Sequence, residues 1–163
     1  MRILIMIPVL LILLLVGDWV TRRSIRNKEL LDVLVHGLVA LIVVYSLGVP
    51  YVFIAFIIAV ALDIDHFIVA KSFKISDAIK LKYRPYTHSI TFAIFVGCVV
   101  WGLTKNTILA FTVILAIASH VLRDASTGVT FILWPFRLLY IPYWSYIMLE
   151  IALLIGGWGL KYL

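Results

Sequence analysis

Apolar residues fall into six long runs along the chain, separated by shorter polar or aromatic connections. A membrane-spanning helix needs about 20 mostly apolar residues, and each run approaches that length. Each run therefore predicts a transmembrane helix, with tilt or local bilayer thinning where the run is short. The predicted spans are residues 3–20, 33–48, 51–70, 87–104, 107–122 and 143–160.

Two segments of the pattern need a separate interpretation. Residues 128–134 are apolar but too short to span, so they are predicted to be re-entrant or to lie along the interface. The first run follows Arg2 and is rich in leucine, like a signal peptide, but it lacks an A-x-A-like cleavage site and is interpreted as a retained helix. The fold class is therefore an all-α integral membrane protein. We expect a polytopic bundle of five to six transmembrane helices in a single transmembrane helical domain, residues 1–163.

Composition supports the same class. The chain is 64% hydrophobic and 13% charged, with a mean hydropathy of +1.15, whereas soluble domains are about 45–50% apolar and about 25% charged. Cys98 is the single cysteine, which excludes an intrachain disulfide and a CxxC-type metal site. The formal net charge is +6, but no basic run is interleaved with residues suited to base contacts, so we expect no nucleic-acid partner.

The basic residues indicate the topology. Eleven of the 14 lysines and arginines lie in the three longest connections, which share one side of the membrane because successive spans alternate in direction. The positive-inside rule then predicts a multi-pass protein of the inner or plasma membrane, with these connections in the cytoplasm and both termini outside. The eleven are Arg22, Arg23, Arg26, Lys28, Lys71, Lys74, Lys80, Lys82, Arg84, Arg123 and Arg137.

The ionisable residues concentrate at the same side. Asp63 and Asp65 lie at the depth of His66, and Asp124 follows His120 by four residues, which places the two on one helix face. Asp32 precedes His36 by four and is expected to orient that imidazole. Ionisable residues inside a membrane are functional candidates by default. All four histidines are predicted to lie near cytoplasmic helix ends: His36, His66, His88 and His120.

Carboxylates and imidazoles that meet in a low-dielectric setting need a compensating charge, and a divalent cation supplies it. Histidine and aspartate without thiolate suit zinc, with manganese or iron as alternatives, whereas magnesium would rely more on carboxylates. The candidates exceed one tetrahedral sphere, so we expect one or two ions and some residues that only support them. The candidate ligands are His36, Asp63, Asp65, His66, His88, His120 and Asp124.

Each candidate also has a purely structural interpretation. Asp63 and Asp65 are at a helix end, where they could pair with loop lysines. His120 and Asp124 could be a structural pair, and His88 could mark nothing more than a helix N-terminus. Asp18 and Glu150 have no neighbouring histidine and are interpreted as partners for loop cations.

Three elements taken in order, ALDIDHF, RPYTHS and SHVLRDASTGVTFILWPF, resemble the YdjM-like family of predicted membrane-bound metal-dependent hydrolases. That family carries a D-x-D-H element, an R-G-x-T-H-S element and an S-H-x-x-x-D element followed by T, G and W-P. An early Gly-His element of the family corresponds to VHGL here. The resemblance covers residues 36–136 and implies metal-dependent hydrolysis. It carries over to Asp63, Asp65, His66, Arg84, His88, His120 and Asp124, together with His36.

The sequence departs from that pattern before its T-H-S element. Where the family often has His-Arg-Gly, this chain has Tyr83, Arg84 and Pro85, so a histidine and a glycine are absent. The change removes one ligand and stiffens the approach to His88.

The leading hypothesis is a metal-dependent hydrolase at the cytoplasmic membrane surface, with Zn²⁺ favoured and Mn²⁺ or Mg²⁺ as alternatives. Its catalytic candidates are Asp65, Arg84 and His88, because a guanidinium can clamp a phosphoryl oxygen and the other two can move protons. Without a soluble domain, the cavity must open among helix ends, which favours membrane lipids and an amphiphilic substrate. We expect a phosphoester of a lipid or polyprenyl type.

Two other functions use the same residues. A divalent metal-ion transporter or channel would need polar groups at the midplane and on the far side as well. A non-catalytic structural or regulatory protein would use the polar cluster only to fix helix packing.

The stretch ALDIDHF also makes a local structural prediction. Asp63 and His66 are separated by three and share a helix face, whereas Asp65 points elsewhere in a regular helix. Asp65 would therefore need a helix end or a distortion here to join the same ion. Otherwise it serves a second ion or acts as the base.

Overall fold

The computed structural model describes residues 2–23, 28–74, 81 and 84–162, and this part of the chain is mostly helical. A single 3₁₀ turn, Tyr45–Leu47, and a two-stranded antiparallel ribbon complete the fold. The helices are α1 (Arg2–Arg23), α2 (Lys28–Val43), α3 (Val49–Leu62), α4 (Ile64–Ala70), α5 (Ile90–Thr104), α6 (Thr107–Thr127) and α7 (Tyr143–Leu160).

Local sequence explains where several of these helices begin. Gly48 has φ +105°, a value that favours glycine, and Pro50 follows in the first turn of α3, where its missing N–H costs nothing. The Ser89 hydroxyl caps α5 by accepting from the N–H of Phe92, and the Asn106 side chain caps α6 in the same way.

Helix α6 occupies the centre of the bundle. It packs against α2, α3, α5 and α7, and most of its second half is buried. Two glycines permit close helix crossings: a Cβ at Gly157 would lie 2.5 Å from the carbonyl oxygen of Val43, and one at Gly97 would lie 2.3 Å from the Ile114 side chain. Small residues at crossings are typical of helices that pack in membranes.

Three helical stretches of the described chain are long and apolar enough to cross a membrane: Val49–Ala70, Thr107–Thr127 and Tyr143–Leu160. The first comprises α3 and α4 together. Shorter apolar helices cover Ile7–Thr21, Leu30–Val43 and Ile90–Thr104. The helical, apolar character of the prediction is thus confirmed, whereas the count of six spans stays a prediction.

The segment before the last helix forms a two-stranded ribbon, and its re-entrant or interfacial placement stays a prediction. Residues 128–134 are not helical: Thr130–Leu133 form strand β1, which pairs with β2, Arg137–Leu139, and the register shifts between Phe131 and Leu133. The main chain leaving the ribbon is fixed to α6, since the N–H of Ile141 donates to the carbonyl of Ala125 at 2.8 Å. The ribbon therefore folds back over the end of α6.

Several predicted boundaries are wrong. Helix α2 covers Lys28–Val43 rather than residues 33–48. Helix α5 begins at Ile90 rather than at Thr87, because Ser89 is its cap. Helix α6 continues to Thr127, so Arg123 is not a loop cation: its side chain is 1% exposed and lies inside the helix bundle. The topology count therefore loses this residue. Among the other counted cations, Arg26, Lys80 and Lys82 lie outside the described residues.

Candidate metal centre

The four histidines form a continuous row of ring contacts at one end of the bundle. His36 of α2 stacks on His120 of α6, with ring centroids 3.8 Å apart. His120 contacts His88 edge-on at 4.8 Å, and His88 contacts His66 of α4 edge-on at 4.6 Å. Residues from α2, α4, α6 and the segment before α5 therefore converge, although they are far apart in sequence.

The deeper half of the cluster consists of His36, His120 and Asp124, all buried, with one ligand atom each within 4.8 Å of the others. Nδ1 of His120 donates to the carbonyl of Ala59 at 2.9 Å. This bond fixes the ring so that Nε2 is directed at Asp63 and Asp124, at 3.5 and 3.6 Å. Fixing one ring nitrogen so that the other can bind a metal is the usual arrangement of a histidine ligand.

The shallower half consists of Asp63, His66 and His88, which satisfy the same distance criterion. Nδ1 of His66 lies 3.8 Å from the Asp63 carboxylate, as expected for residues three apart on a helix. The two halves adjoin, because Asp63 of this half also faces His120 of the other.

Asp65 joins this half through a break in the helix. The α-helical hydrogen bonding stops at Asp63, which separates α3 from α4, and the N–H of His66 bonds back to the carbonyl of Asp63. Oδ1 of Asp65 then lies 3.0 Å from Nδ1 of His66 and 3.2 Å from Nε2 of His88, while Thr87 donates to Oδ2. This is the distortion that Asp65 requires in order to face the cluster.

Asp124 connects the two halves. Its Oδ2 lies 2.6 Å from Nδ1 of His88, and its Oδ1 lies 3.6 Å from Nε2 of His36. The side chain is 1% exposed. One buried carboxylate therefore contacts three of the four histidines.

Arg84 supplies the positive charge of the cluster. Its guanidinium donates to Nε2 of His66 at 3.1 Å and lies 3.1 Å from Oδ1 of Asp124. Three carboxylates, those of Asp63, Asp65 and Asp124, belong to the cluster, and of these Asp124 contacts the guanidinium. With neutral histidines the described cluster has two negative charges in excess, which matches one divalent cation.

The donor set also fits a metal ion. Nδ1 of His36 and Nε2 of His120 are buried, and neither makes a hydrogen bond within the part of the chain that the structure describes. Buried polar atoms are normally paired, so the Nε2 of His120, which faces two carboxylates, is suited to bind a cation. Imidazole nitrogens beside carboxylate oxygens are the ligands that zinc and manganese accept.

His88 lies outside the helices, and its ionisation reflects both carboxylates. Burial by itself lowers the pKa of His88, but the hydrogen bonds to Asp124 and Asp65 outweigh burial, so the pKa is raised above its usual value. When no cation neutralises Asp65 and Asp124, the His88 ring thus bridges these two carboxylates.

The comparisons with known proteins identify the family. The model of the YdjM inner membrane protein family matches residues 30–161, a range that contains every residue of the cluster. The chain belongs to the YdjM inner membrane protein family. Searches of curated proteins and of solved structures returned no match.

Family membership confirms the resemblance found in the sequence motifs, and together with the apolar helices it makes this YdjM family chain a membrane protein. The matched range begins before His36 and ends after Phe136. It therefore spans the three motif elements and the final helix α7.

In this YdjM family protein a second set of polar residues, Arg123 with Asp18 and Asp32, lies next to the cluster. Arg123 is buried between helices, where it contacts Asp18 of α1 at 3.0 Å and pairs with Asp32 of α2. Asp32 in turn lies 3.8 Å from Nε2 of His36. The expected proximity of Asp32 to His36 is therefore present, with Arg123 holding the carboxylate in place.

Several groups that support the cluster could not be predicted from the sequence pattern. Thr87 bonds Asp65, and the Thr130 hydroxyl of β1 donates to the carbonyl of His88 at 3.0 Å. Arg123 was indistinguishable from a loop cation. Only the position of Thr87 beside His88 offered a signal, since neighbours of a ligand often support it.

Asp18 and Glu150 have different surroundings. Asp18 pairs with Arg123, which is not in a loop. Glu150 is fully buried, and its carboxylate makes no hydrogen bond to a residue in the described ranges. No cation of the described ranges pairs with Glu150, so its interpretation as a partner for a loop cation stays a prediction.

Proposed function

We propose that this protein is a membrane-embedded, metal-dependent hydrolase that acts at the cytoplasmic membrane surface on a phosphoester of a lipid or polyprenyl type. The observation that carries the proposal is the position of Asp124. This carboxylate is buried in the membrane protein and contacts His36, His88, His120 and Arg84. A buried group of this kind is costly to maintain, which favours a functional role over a packing role.

The metal-binding residues are proposed as two adjoining sets. His36, His120 and Asp124 would hold one ion, and Asp63, His66 and His88 would hold a second if two are bound. Zn²⁺ is the proposed ion, with Mn²⁺ or Mg²⁺ as alternatives. When bound, a divalent ion supplies charge stabilisation at a phosphoryl oxygen and lowers the pKa of water.

Arg84 is the proposed phosphate-binding residue. Its side chain is 30% exposed, in contrast to Asp124 at 1%, so the guanidinium lies at the entrance to the cluster. A guanidinium presents a planar fork of donors that matches two phosphoryl oxygens. Arg84 would orient the substrate with its phosphoester bond towards the histidines.

Asp65 and His88 are the proposed proton-transfer residues. Their side chains are 3.2 Å apart, and Asp65 is partly exposed whereas His88 is fully buried. Asp65 is thus accessible to water, from which it would accept a proton. If the His36, His120 and Asp124 set holds the only ion, His88 would hold a proton between Asp65 and Asp124 for transfer to the leaving oxygen.

The proposed orientation has both termini outside and the cluster facing the cytoplasm, in a multi-pass arrangement. The exposed cations Lys71 and Lys74 support it, because they follow α4 directly at the end of the bundle that holds the cluster. Cations at this end would attract anionic headgroups. The membrane itself supplies the amphiphilic substrate.

A substrate panel tests the function. The purified protein, loaded with Zn²⁺ or Mn²⁺, is incubated in detergent with phospholipids and prenyl phosphates, and phosphate or headgroup release is measured. We expect turnover of at least one lipid phosphoester, abolished by Asp65→Ala. Absence of turnover together with metal flux into liposomes would overturn the hydrolase proposal in favour of a transporter.

A further inference from the structure

An apolar groove lies on the outside of the bundle between α3 and α5, with α6 as its floor. Ala61 and Leu62 of α3 form one wall, and Phe92 and Val96 of α5 form the other. Val113 and Ile117 of α6 lie beneath. The groove has a volume of about 340 Å³, which is within the roughly 300–1,000 Å³ of ligand sites.

The packing of the helices explains why the groove exists. Helices α3 and α5 each pack closely against α6 but have little contact with each other. Gly97 brings α5 close to α6, since a side chain there would collide with Ile114. Ala61 remains exposed because no other described side chain covers it. A gap therefore runs along the helices and opens to the outside of the bundle.

All three sides of the groove lead directly to the histidine cluster. On the α3 side, Leu62 immediately precedes Asp63. On the α6 floor, Ile117 precedes His120 by three residues, which is about 4.5 Å of rise. On the α5 side, the N–H of Phe92 is bonded by Ser89, the neighbour of His88. On each side, one end of the groove therefore lies within about one helical turn of a cluster residue.

We propose that this groove holds one hydrocarbon chain of a lipid phosphate whose phosphate group reaches the cluster. The inference rests on the proposed function and adds how the substrate enters and that the protein recognises its hydrocarbon chain. A chain in the groove and a phosphate at Arg84 match an amphiphile that arrives sideways from the bilayer. The continuity of apolar walls with a charged end favours this occupant over a second protein helix.

The groove would act on orientation rather than on affinity. A hydrocarbon chain that leaves the bilayer for the groove exchanges one apolar environment for another, so little hydrophobic free energy is gained. Seating the chain would instead fix the headgroup against the reacting residues. Misplacement of a reacting group by about 1 Å costs roughly 100-fold in rate.

Tryptophan substitutions that fill the groove test the inference. Ala61→Trp and, separately, Val96→Trp would obstruct it, whereas Ala152→Trp places the same side chain on an exposed position of α7 outside the groove. We expect kcat/KM for dioleoyl phosphatidic acid to fall roughly 10- to 100-fold in both groove variants. Short-chain dihexanoyl phosphatidic acid should be hydrolysed as by wild type. Equal losses on both lipids, or none, would overturn the inference.

A second readout does not require turnover. Phosphatidic acid with a diazirine in its acyl chain is photolysed with the protein in vesicles, and adducts are mapped by mass spectrometry. We expect adducts to concentrate on the groove walls and to be lost in Ala61→Trp but not in Ala152→Trp. Uniform labelling of the exposed helices would overturn the groove as a site. Absence of turnover in wild type with groove-specific labelling would count against the hydrolase proposal alone.

Discussion

Asp124 and His88 are in close contact, with Oδ2 of Asp124 lying 2.6 Å from Nδ1 of His88. Both side chains are buried. The contact connects the end of α6 to the loop before α5, and through Asp65 it extends to the break between α3 and α4. One imidazole thus bridges three separate parts of the described chain.

Thr87 is predicted to matter through its bond to Asp65. Thr87→Val removes the donor and frees the carboxylate, so we expect metal affinity or activity to fall about 10- to 100-fold, as for other residues that hold a metal-site group in place. Metal titration of the purified variant measures the metal affinity. Thr87→Ser should restore it, and Thr91→Val, on an exposed position of α5, is the matched control. Unchanged affinity and activity in Thr87→Val would remove Thr87 from the site.

Arg84→Lys should separate phosphate binding from metal binding. Lysine keeps the positive charge but lacks the planar fork, so we expect the metal content to stay at the wild-type level while kcat/KM falls. A lost charged hydrogen bond of about 1.5–3 kcal/mol corresponds to roughly a 10- to 100-fold loss, because about 1.4 kcal/mol is tenfold. Loss of metal in this variant would instead make Arg84 a structural partner of Asp124.

Arg123→Met should destabilise the protein strongly. The substitution removes the partner of both Asp18 and Asp32 inside the bundle, and breaking a buried ion pair from one side costs about 3–5 kcal/mol. We expect a lower Tm in detergent. The triple variant with Asp18→Asn and Asp32→Asn should recover part of this loss, since no unpaired charge then remains. A wild-type Tm in Arg123→Met would show that the two carboxylates find other partners.

Gly157→Ala tests the packing of α7 on α2. The added methyl would lie 2.5 Å from the Val43 carbonyl oxygen, whereas a methyl at Gly159 meets nothing within 4 Å. Overpacking costs about 1–3 kcal/mol, so the Tm of Gly157→Ala should fall and that of Gly159→Ala should not. Equal Tm values for the two variants would contradict the close crossing of α7 and α2.

Parts of this fold follow from local sequence. Helix α7 has the predicted bounds because its apolar run directly follows Pro142 and ends near a lysine. The pairing of His120 with Asp124 follows from a spacing of four on one helix. In both cases the information lies within a few turns of chain.

Other parts depend on contacts between distant residues, which periodicity does not contain. The four residues of β1 are too few to show a period, so the ribbon was missed. Arg123 looked like a loop cation because its partners, Asp18 and Asp32, are in other helices. The contacts of Arg84 with His66 and Asp124 likewise depend on how the loop folds over the bundle.

The metal content of the purified protein tests the central claim most directly. Elemental analysis would compare wild type with Asp124→Asn, and with Glu150→Gln as a second fully buried carboxylate outside the histidine cluster. We predict at least one divalent ion per chain in wild type and in Glu150→Gln, and its loss in Asp124→Asn. A metal-free wild type, or full metal content in Asp124→Asn, would contradict the account.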